Sequence, residues 1–178
     1  LEDRVILVDI DGHMTGTMEK MAAHEAGVLH RAFSVFVFNS NGQLLLQQRA
    51  FEKYHSGGTW TNTCCSHPRP GEKTADAAHR RLMEEMGMKC DIREYFHFIY
   101  RHEFSNGLIE HEYDHVFIGY SDQIPIPDNA EVADFRYTDT EDLKGDIVND
   151  PDSFSPWLRI CLDRVTAIVK QRSTEGIN

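Results

Sequence analysis

Hydrophobic and polar positions change period several times along this chain, and each change marks an element. Val5 to Ile10 is a β-rich run closed by Asp11-Gly12, and a second turn at Thr15-Gly16 predicts a small N-terminal hairpin. Met18 to Ala26 reads as a short helix carrying Lys20 and His24. Arg31 to Phe38 is apolar on both faces, as a central strand is, and Asn39-Ser40-Asn41-Gly42 turns it into a second strand, Gln43 to Arg49. Ala50 to Gly58 is a loop holding Lys53 and His55. From Thr74 the period becomes helical: Ala75, Ala78, Leu82 and Met86 form an apolar stripe, with Thr74 as its cap and Gly87 as its stop.

Ile92 to Phe104 and Leu108 to Tyr120 are strand-like runs around the loop Ser105-Asn106-Gly107. Pairing them about that loop sets Phe104 opposite Leu108 and Tyr100 opposite Glu112. The two-residue period then puts Glu110, Glu112 and Asp114 on one face. Gln123 to Asn129 is a Pro-containing loop, Glu131 to Tyr137 a strand and Thr140 to Leu143 a helical turn. Lys144 to Ser155 reads as a long polar connection, after which Ser155 caps and Pro156 opens a helix striped by Leu158, Leu162, Val165 and Val169. Hairpins interleaved with helices predict an α+β fold, one domain over residues 1–172 with a frayed tail at 173–178.

Composition narrows the function. A hydrophobic fraction of 40% in 178 residues is enough for one ordinary core. No apolar run reaches a membrane span and no basic-then-apolar leader opens the chain, so a cytoplasmic protein, monomeric or weakly dimeric, is expected. The net charge of −11 argues against nucleic acid and means that an anionic substrate needs a local basic pocket. The cysteines Cys64, Cys65, Cys90 and Cys161 form no Cys-x-x-Cys pair, which fits free thiols in a reducing compartment.

The densest chemistry lies in Thr61-Asn62-Thr63-Cys64-Cys65-Ser66-His67-Pro68 and the charged helix after it. Ser66, Glu72, Arg80-Arg81-Leu82, Glu84-Glu85 and Gly87 follow the spacing of the Nudix box, which this segment resembles. Ser66 stands where that box has Gly, and Arg81 where it has a carboxylate. The second departure removes an anionic metal ligand and inverts the local charge.

With those departures, the chain resembles the type I isopentenyl-diphosphate isomerases of the Nudix superfamily over nearly its whole length. The matches include Glu19-Lys20 with His24, Leu29 to Ser34, Arg49 with Lys53, Trp60 to Pro68, Glu110-His111-Glu112 and Phe154 to Trp157. The resemblance implies a Nudix-like mixed sheet flanked by helices. It also implies one divalent metal (zinc, manganese or magnesium) held by His24, His30, His67, Glu110 and Glu112. A magnesium ion would bridge the substrate diphosphate to Glu85, while Lys20, Arg49, Lys53 and Arg81 grip the phosphates. The reaction implied is a 1,3-proton shift between isopentenyl and dimethylallyl diphosphate, with Cys65 facing Glu112, assisted by Tyr100, and Trp157 over the reacting carbons.

Two other readings compete: a Nudix hydrolase of a nucleoside diphosphate derivative, and a catalytically silent protein that binds metal or prenyl phosphate. Arg81 speaks against the first, and the pair Cys65 and Glu112 against the second. The remaining histidines, His55 among them, are expected to be solvated or supporting.

Overall fold

The strand that organises the molecule is His30–Phe38, and its alternation explains why. Phe33, Val35 and Val37 pack on one side of the sheet and Phe36 and Phe38 on the other. A strand buried on both faces needs cover on both, which three helices supply. The computed structural model describes residues 4–174.

In chain order the elements are β1 Arg4–Val8, β2 Met14–Glu19, α1 Lys20–Ala26, β3 His30–Phe38, β4 Leu44–Arg49, β5 Trp60–Thr61, β6 Cys64–Ser66 and α2 Thr74–Met86. Then come β7 Ile92–Glu103, β8 Ile109–Tyr120, β9 Val132–Thr138, α3 Thr140–Asn149, a 3-10 turn Pro151–Ser153, and α4 Pro156–Thr174. The expected α+β fold is what forms. The sheet is mixed: β3 runs parallel to β8 and antiparallel to β1, β4 and β6, while β7 extends the sheet beyond β8 and β9 beyond β4.

On one face α2 packs Ala77, Ala78, Leu82 and Met86 against Phe33, Val35, Val37 and Leu45. On the other, Leu143 of α3 and Leu158, Cys161, Leu162 and Val165 of α4 cover Phe36, Phe38, Val116 and Ile118. Among the described residues, no helix is long and apolar enough to cross a membrane.

Several boundaries differ from the sequence pattern. The first turn spans residues 9–13, where Asp9 accepts from the backbone of Asp11 and His13, so Thr15-Gly16 falls inside β2. Met18 and Glu19 end that strand, and Glu19 caps α1 through its carboxylate. Thr74 is the first residue of α2 rather than its cap, and Ala77 rather than the exposed Ala75 belongs to the buried stripe. α3 continues to Asn149, through the first half of the predicted polar connection, because its one buried anchor, Leu143, suffices for a solvent-facing helix. Ser155 turns its hydroxyl to Thr61, 2.7 Å away, instead of capping α4. That helix keeps Ser173 and Thr174, and the rest of the predicted tail lies outside the described residues.

Gly87 does stop α2, at φ +63°, and a Cβ there would come within 2.5 Å of the Ile126 carbonyl.

Candidate active site

Strand register assembles the site at one end of β3. The parallel pairing sets His30 beside Glu112, the β7–β8 hairpin sets Tyr100 opposite Glu112 as expected, and β6 lays Cys65 beside Ser34. α1 packs on β8 and contributes His24, and His67 follows directly on β6. Ring centroids of His24 and His30 are 4.9 Å apart, those of His30 and His67 5.0 Å, and those of His24 and His67 5.7 Å.

These rings are held for ligation. His24 Nδ1 lies 2.7 Å from the Lys20 carbonyl and His30 Nδ1 2.8 Å from that of Val28. Each bond places the proton on Nδ1 and leaves Nε2 a lone pair, buried and without a hydrogen-bond partner. One ligand atom each from His24, His30, His67 and Glu112 lie within 4.8 Å of one another, a donor set that a divalent cation fits. Glu110 stands one step aside: it groups with His24 and His55 instead.

Tyr100 ties the two carboxylates together, its hydroxyl 2.9 Å from Glu110 Oε2 and 2.8 Å from Glu112 Oε2. A phenol has one proton, so it can donate to only one of them at a time. Burial acts to raise Glu110, but His55, His24 and Arg49 outweigh it and hold the carboxyl well below its usual range. Burial and Glu110 act to raise Glu112, yet the close imidazoles of His30 and His67 leave it lowered. His67, 2.8 Å from Glu112 Oε1, is pushed down to about 3 by burial and stays a neutral imidazole. Two residues further along the same face, Asp114 is raised well above its ordinary value by burial and then by Glu112, although Ser34 donates to it at 2.7 Å.

The two adjacent cysteines part at the sheet. Successive strand residues face opposite ways, and Cys64 joins the core under α2, so Cys65 faces the cavity on the side of α4. That cavity, about 40 Å³, is lined by Cys65, Glu112, Glu110, Tyr54, His67 and Trp157. Burial pushes the Cys65 thiol up to about 12 against the pull of Arg49, whose Nη1 is 3.7 Å from Sγ. Trp157 is fixed by its Nε1, which donates to Asn62 Oδ1 at 3.0 Å. Asn62 in turn donates to the carbonyls of Val35 and Cys64 at 3.1 and 2.9 Å, so one amide locks the indole to the cysteine strand.

Beyond Ser66 and His67 an outer basin of about 180 Å³ opens, lined by Lys20, Lys53, Arg69, Arg80, Arg81 and Glu131. Its cations are already engaged. Lys53 pairs with Glu131, and Arg81 reaches Glu84 at 2.8 Å, Glu85 at 2.5 Å and Glu131 at 3.3 Å. Lys20 Nζ lies 4.4 Å from the centre of the Tyr54 ring. Glu85 also accepts from Gln47 Nε2 at 2.8 Å, and it lines the inner cavity without joining the imidazole group.

Most of the predicted site residues, Glu110 and Glu85 included, line the inner cavity or the outer basin, whereas His24, His30 and Tyr100 line neither and adjoin it through Glu110 and Glu112. Sequence reading missed Tyr54, Glu131 and above all His55, which is 4% exposed rather than solvated because its ring lies under Phe104 and beside Tyr54. Neither neighbour is close in sequence to a recognisable motif. Only the loop's position between Arg49 and Trp60 hinted at the site.

Comparison with known proteins agrees with this geometry. The NUDIX domain family matches residues 28–158. Isopentenyl-diphosphate Delta-isomerase 2 of Aromatoleum aromaticum is 54% identical over 176 residues, 99% of this chain and 92% of that protein. Isopentenyl-diphosphate Delta-isomerase of Burkholderia multivorans is 50% identical over 172 residues, 97% of this chain and 98% of that protein. Among solved structures, a protein of Deinococcus radiodurans superposes with a TM-score of 0.76 at 19% identity, covering 90% of this chain and 98% of that one. The MutT protein of Methanosarcina mazei gives 0.63 at 17%, covering 76% and 91%, and these two structures speak for the fold alone. An imidazole and carboxylate group beside a buried thiol, on a Nudix sheet whose box carries Arg81, thus meets relatives of half-identical sequence: the chain belongs to the Nudix family, among its isopentenyl-diphosphate Delta-isomerases.

Proposed function

We propose that this chain interconverts isopentenyl diphosphate and dimethylallyl diphosphate by a 1,3-proton shift. The observation that carries the reading is that Cys65, Glu112 and Trp157 line one small cavity that opens into a basic basin. The five-carbon olefin would enter the inner cavity, which must widen beyond its roughly 40 Å³ to take it, and the diphosphate the outer basin. The alkene gains a proton at its terminal carbon and loses one from the carbon next to the diphosphate-bearing methylene. Two proton-transfer groups are needed, and Cys65 and Glu112 are those groups.

Their environments set complementary resting states. Burial keeps Cys65 protonated, while the imidazole contacts keep Glu112 ionised. Tyr100, raised well above its ordinary value by burial, remains a phenol and steadies Glu112 by its hydrogen bond. Net transfer from one group to the other is reset by exchange with solvent, so solvent hydrogen enters the product. Trp157 presents an aromatic face to the positive charge that develops on carbon, worth about 0.5 to 2 kcal/mol. That is small beside an alkene protonation barrier, so exclusion of water and placement of the two proton carriers do most of the work.

His24, His30, His67, Glu110 and Glu112 would hold a zinc, manganese or magnesium ion. Bound there, the cation supplies electrostatic stabilisation that orients Glu112 and adjusts its proton affinity. Glu85 would take part in a magnesium site with the diphosphate, and Lys20, Lys53, Arg49 and Arg81 would neutralise its charge. Arg81 occupies the place of a Nudix box carboxylate and pairs with Glu85, which disfavours hydrolysis at that position.

Incubating the protein with isopentenyl diphosphate, magnesium and a second divalent metal in heavy water tests the proposal. Dimethylallyl diphosphate carrying deuterium is expected. Neither product nor exchange across a panel of divalent metals would reject it, and release of phosphate from nucleoside diphosphate derivatives would favour a hydrolase.

A further inference from the structure

We infer that His55 is a positioning residue of the metal centre, one that sets the Glu110 carboxylate. The inference rests on the metal centre proposed above and adds a residue to it. His55 sits in the loop between β4 and β5, yet it is 4% exposed, more deeply buried than many residues of the sheet. Its ring stacks on Phe104 at 4.5 Å and 10°, and Tyr54 meets it edge-on at 4.3 Å. Arg49 donates to its backbone carbonyl at 3.3 Å, so the loop is held down on the same side as the thiol.

So much packing around an imidazole calls for a polar partner, and Glu110 is what it faces. His55 Nε2 lies 2.9 Å from Glu110 Oε1. Tyr100 holds the other carboxylate oxygen at 2.9 Å, and His24 Nε2 is 3.9 Å from Oε1. Glu110 thereby lies between a phenol and an imidazole, with Oε1 facing both His55 and the ring of a candidate ligand. Neither ring nitrogen of His55 has a well-directed hydrogen bond, so the contact to Glu110 is close but off-axis. A modest turn of the carboxylate aligns it with the His55 N–H. Such outer hydrogen bonds fix ligand orientation and raise affinity. His55 also lines the inner cavity, 6.1 Å from the Trp157 ring, but its close polar contact is to Glu110, and through that carboxylate it acts on the metal.

The test is titration of the purified full chain with Mn²⁺ alone, competed by a chelator. His55→Ala is expected to weaken Mn²⁺ at least about tenfold. His55→Gln, whose amide N–H can replace the imidazole donor, is expected to recover affinity to within about threefold of the parent. Should His55→Ala lose its fold, Phe104→Leu takes its place: it keeps the imidazole, removes the ring beneath it, and is expected to weaken Mn²⁺ by about threefold. Equal Mn²⁺ binding by the parent and the alanine variant would overturn the inference while leaving the metal centre standing. So would a glutamine variant as weak as alanine whose Co²⁺ spectrum differs from the parent's, since that makes His55 a direct ligand. A parent protein that binds no Mn²⁺ would remove the metal centre itself.

Discussion

The two walls of the cavity are built on opposite principles. On the β8 wall, His24, His30, Glu110 and Glu112 are buried and His67 half-buried; strand register aligns the carboxylates, and bonds to backbone carbonyls hold His24 and His30 with Nε2 left unpartnered. On the α2 wall, the cations Lys53 and Arg81 are partly exposed and already neutralised by Glu131, Glu84 and Glu85. The first wall is organised for a positive ligand before it arrives. The second must give up internal ion pairs to receive a negative one. On the proposed function, rigid order sits where a proton is handled, and exchangeable pairing where a charged head group enters and leaves.

The largest effects should come from the rigid side. Cys65→Ala or Glu112→Gln should each lower turnover by about 10² to 10⁴, the range for loss of one general acid or base, with an unchanged fold by circular dichroism. Cys64→Ser, which alters only the core under α2, should keep turnover and lose stability instead. If both cysteine variants lose activity equally without unfolding, the facing of the two thiols has been misassigned.

The exchangeable side predicts a smaller effect. Glu131→Gln frees Lys53 and Arg81 from an internal anion, so KM for the diphosphate substrate should fall by about threefold while kcat holds. A rise in KM would mean that Glu131 positions the cations rather than competing for them.

The smallest predicted effect concerns Asp114, on the rigid wall but outside its chemistry. Burial, then Glu112, raises its folded-state pKa, so between the unfolded value of about 3.9 and the raised one the folded state binds more protons. Stability is therefore lost as pH rises through that window. Asp114→Asn cannot titrate and can still accept from Ser34. Without metal, it should melt higher than the parent at neutral pH, the gap closing below about pH 4. A gap that persists in acid would assign the gain to packing.

Much of the rigid wall was legible in the sequence because short-range rules build it. The Ser105-Asn106-Gly107 loop fixes the hairpin, the hairpin fixes Tyr100 against Glu112, and period two groups Glu110 with Glu112. The joining of His24 to Glu112 depends on the packing of α1 on β8 and on a parallel β3–β8 pairing of residues 82 positions apart, His30 with Glu112; no local pattern encodes either, and family resemblance supplied it. His55 and Glu131 were missed for the same reason. Each lies in an irregular segment, and its partner, Glu110 or Lys53, is distant in sequence. The helix limits erred where one buried residue, Leu143, outweighed a polar composition.

The most direct measurement of the two-walled arrangement uses isopentenyl diphosphate deuterated stereospecifically at the carbon that loses its proton. A proton acceptor fixed in the cavity lining can take only one of the two hydrogens there. The account predicts that one labelled enantiomer loses its deuterium completely and the other keeps it all. Partial loss from both would mean that the proton leaves by no fixed acceptor, and that Cys65 and Glu112 do not confront each other across the substrate.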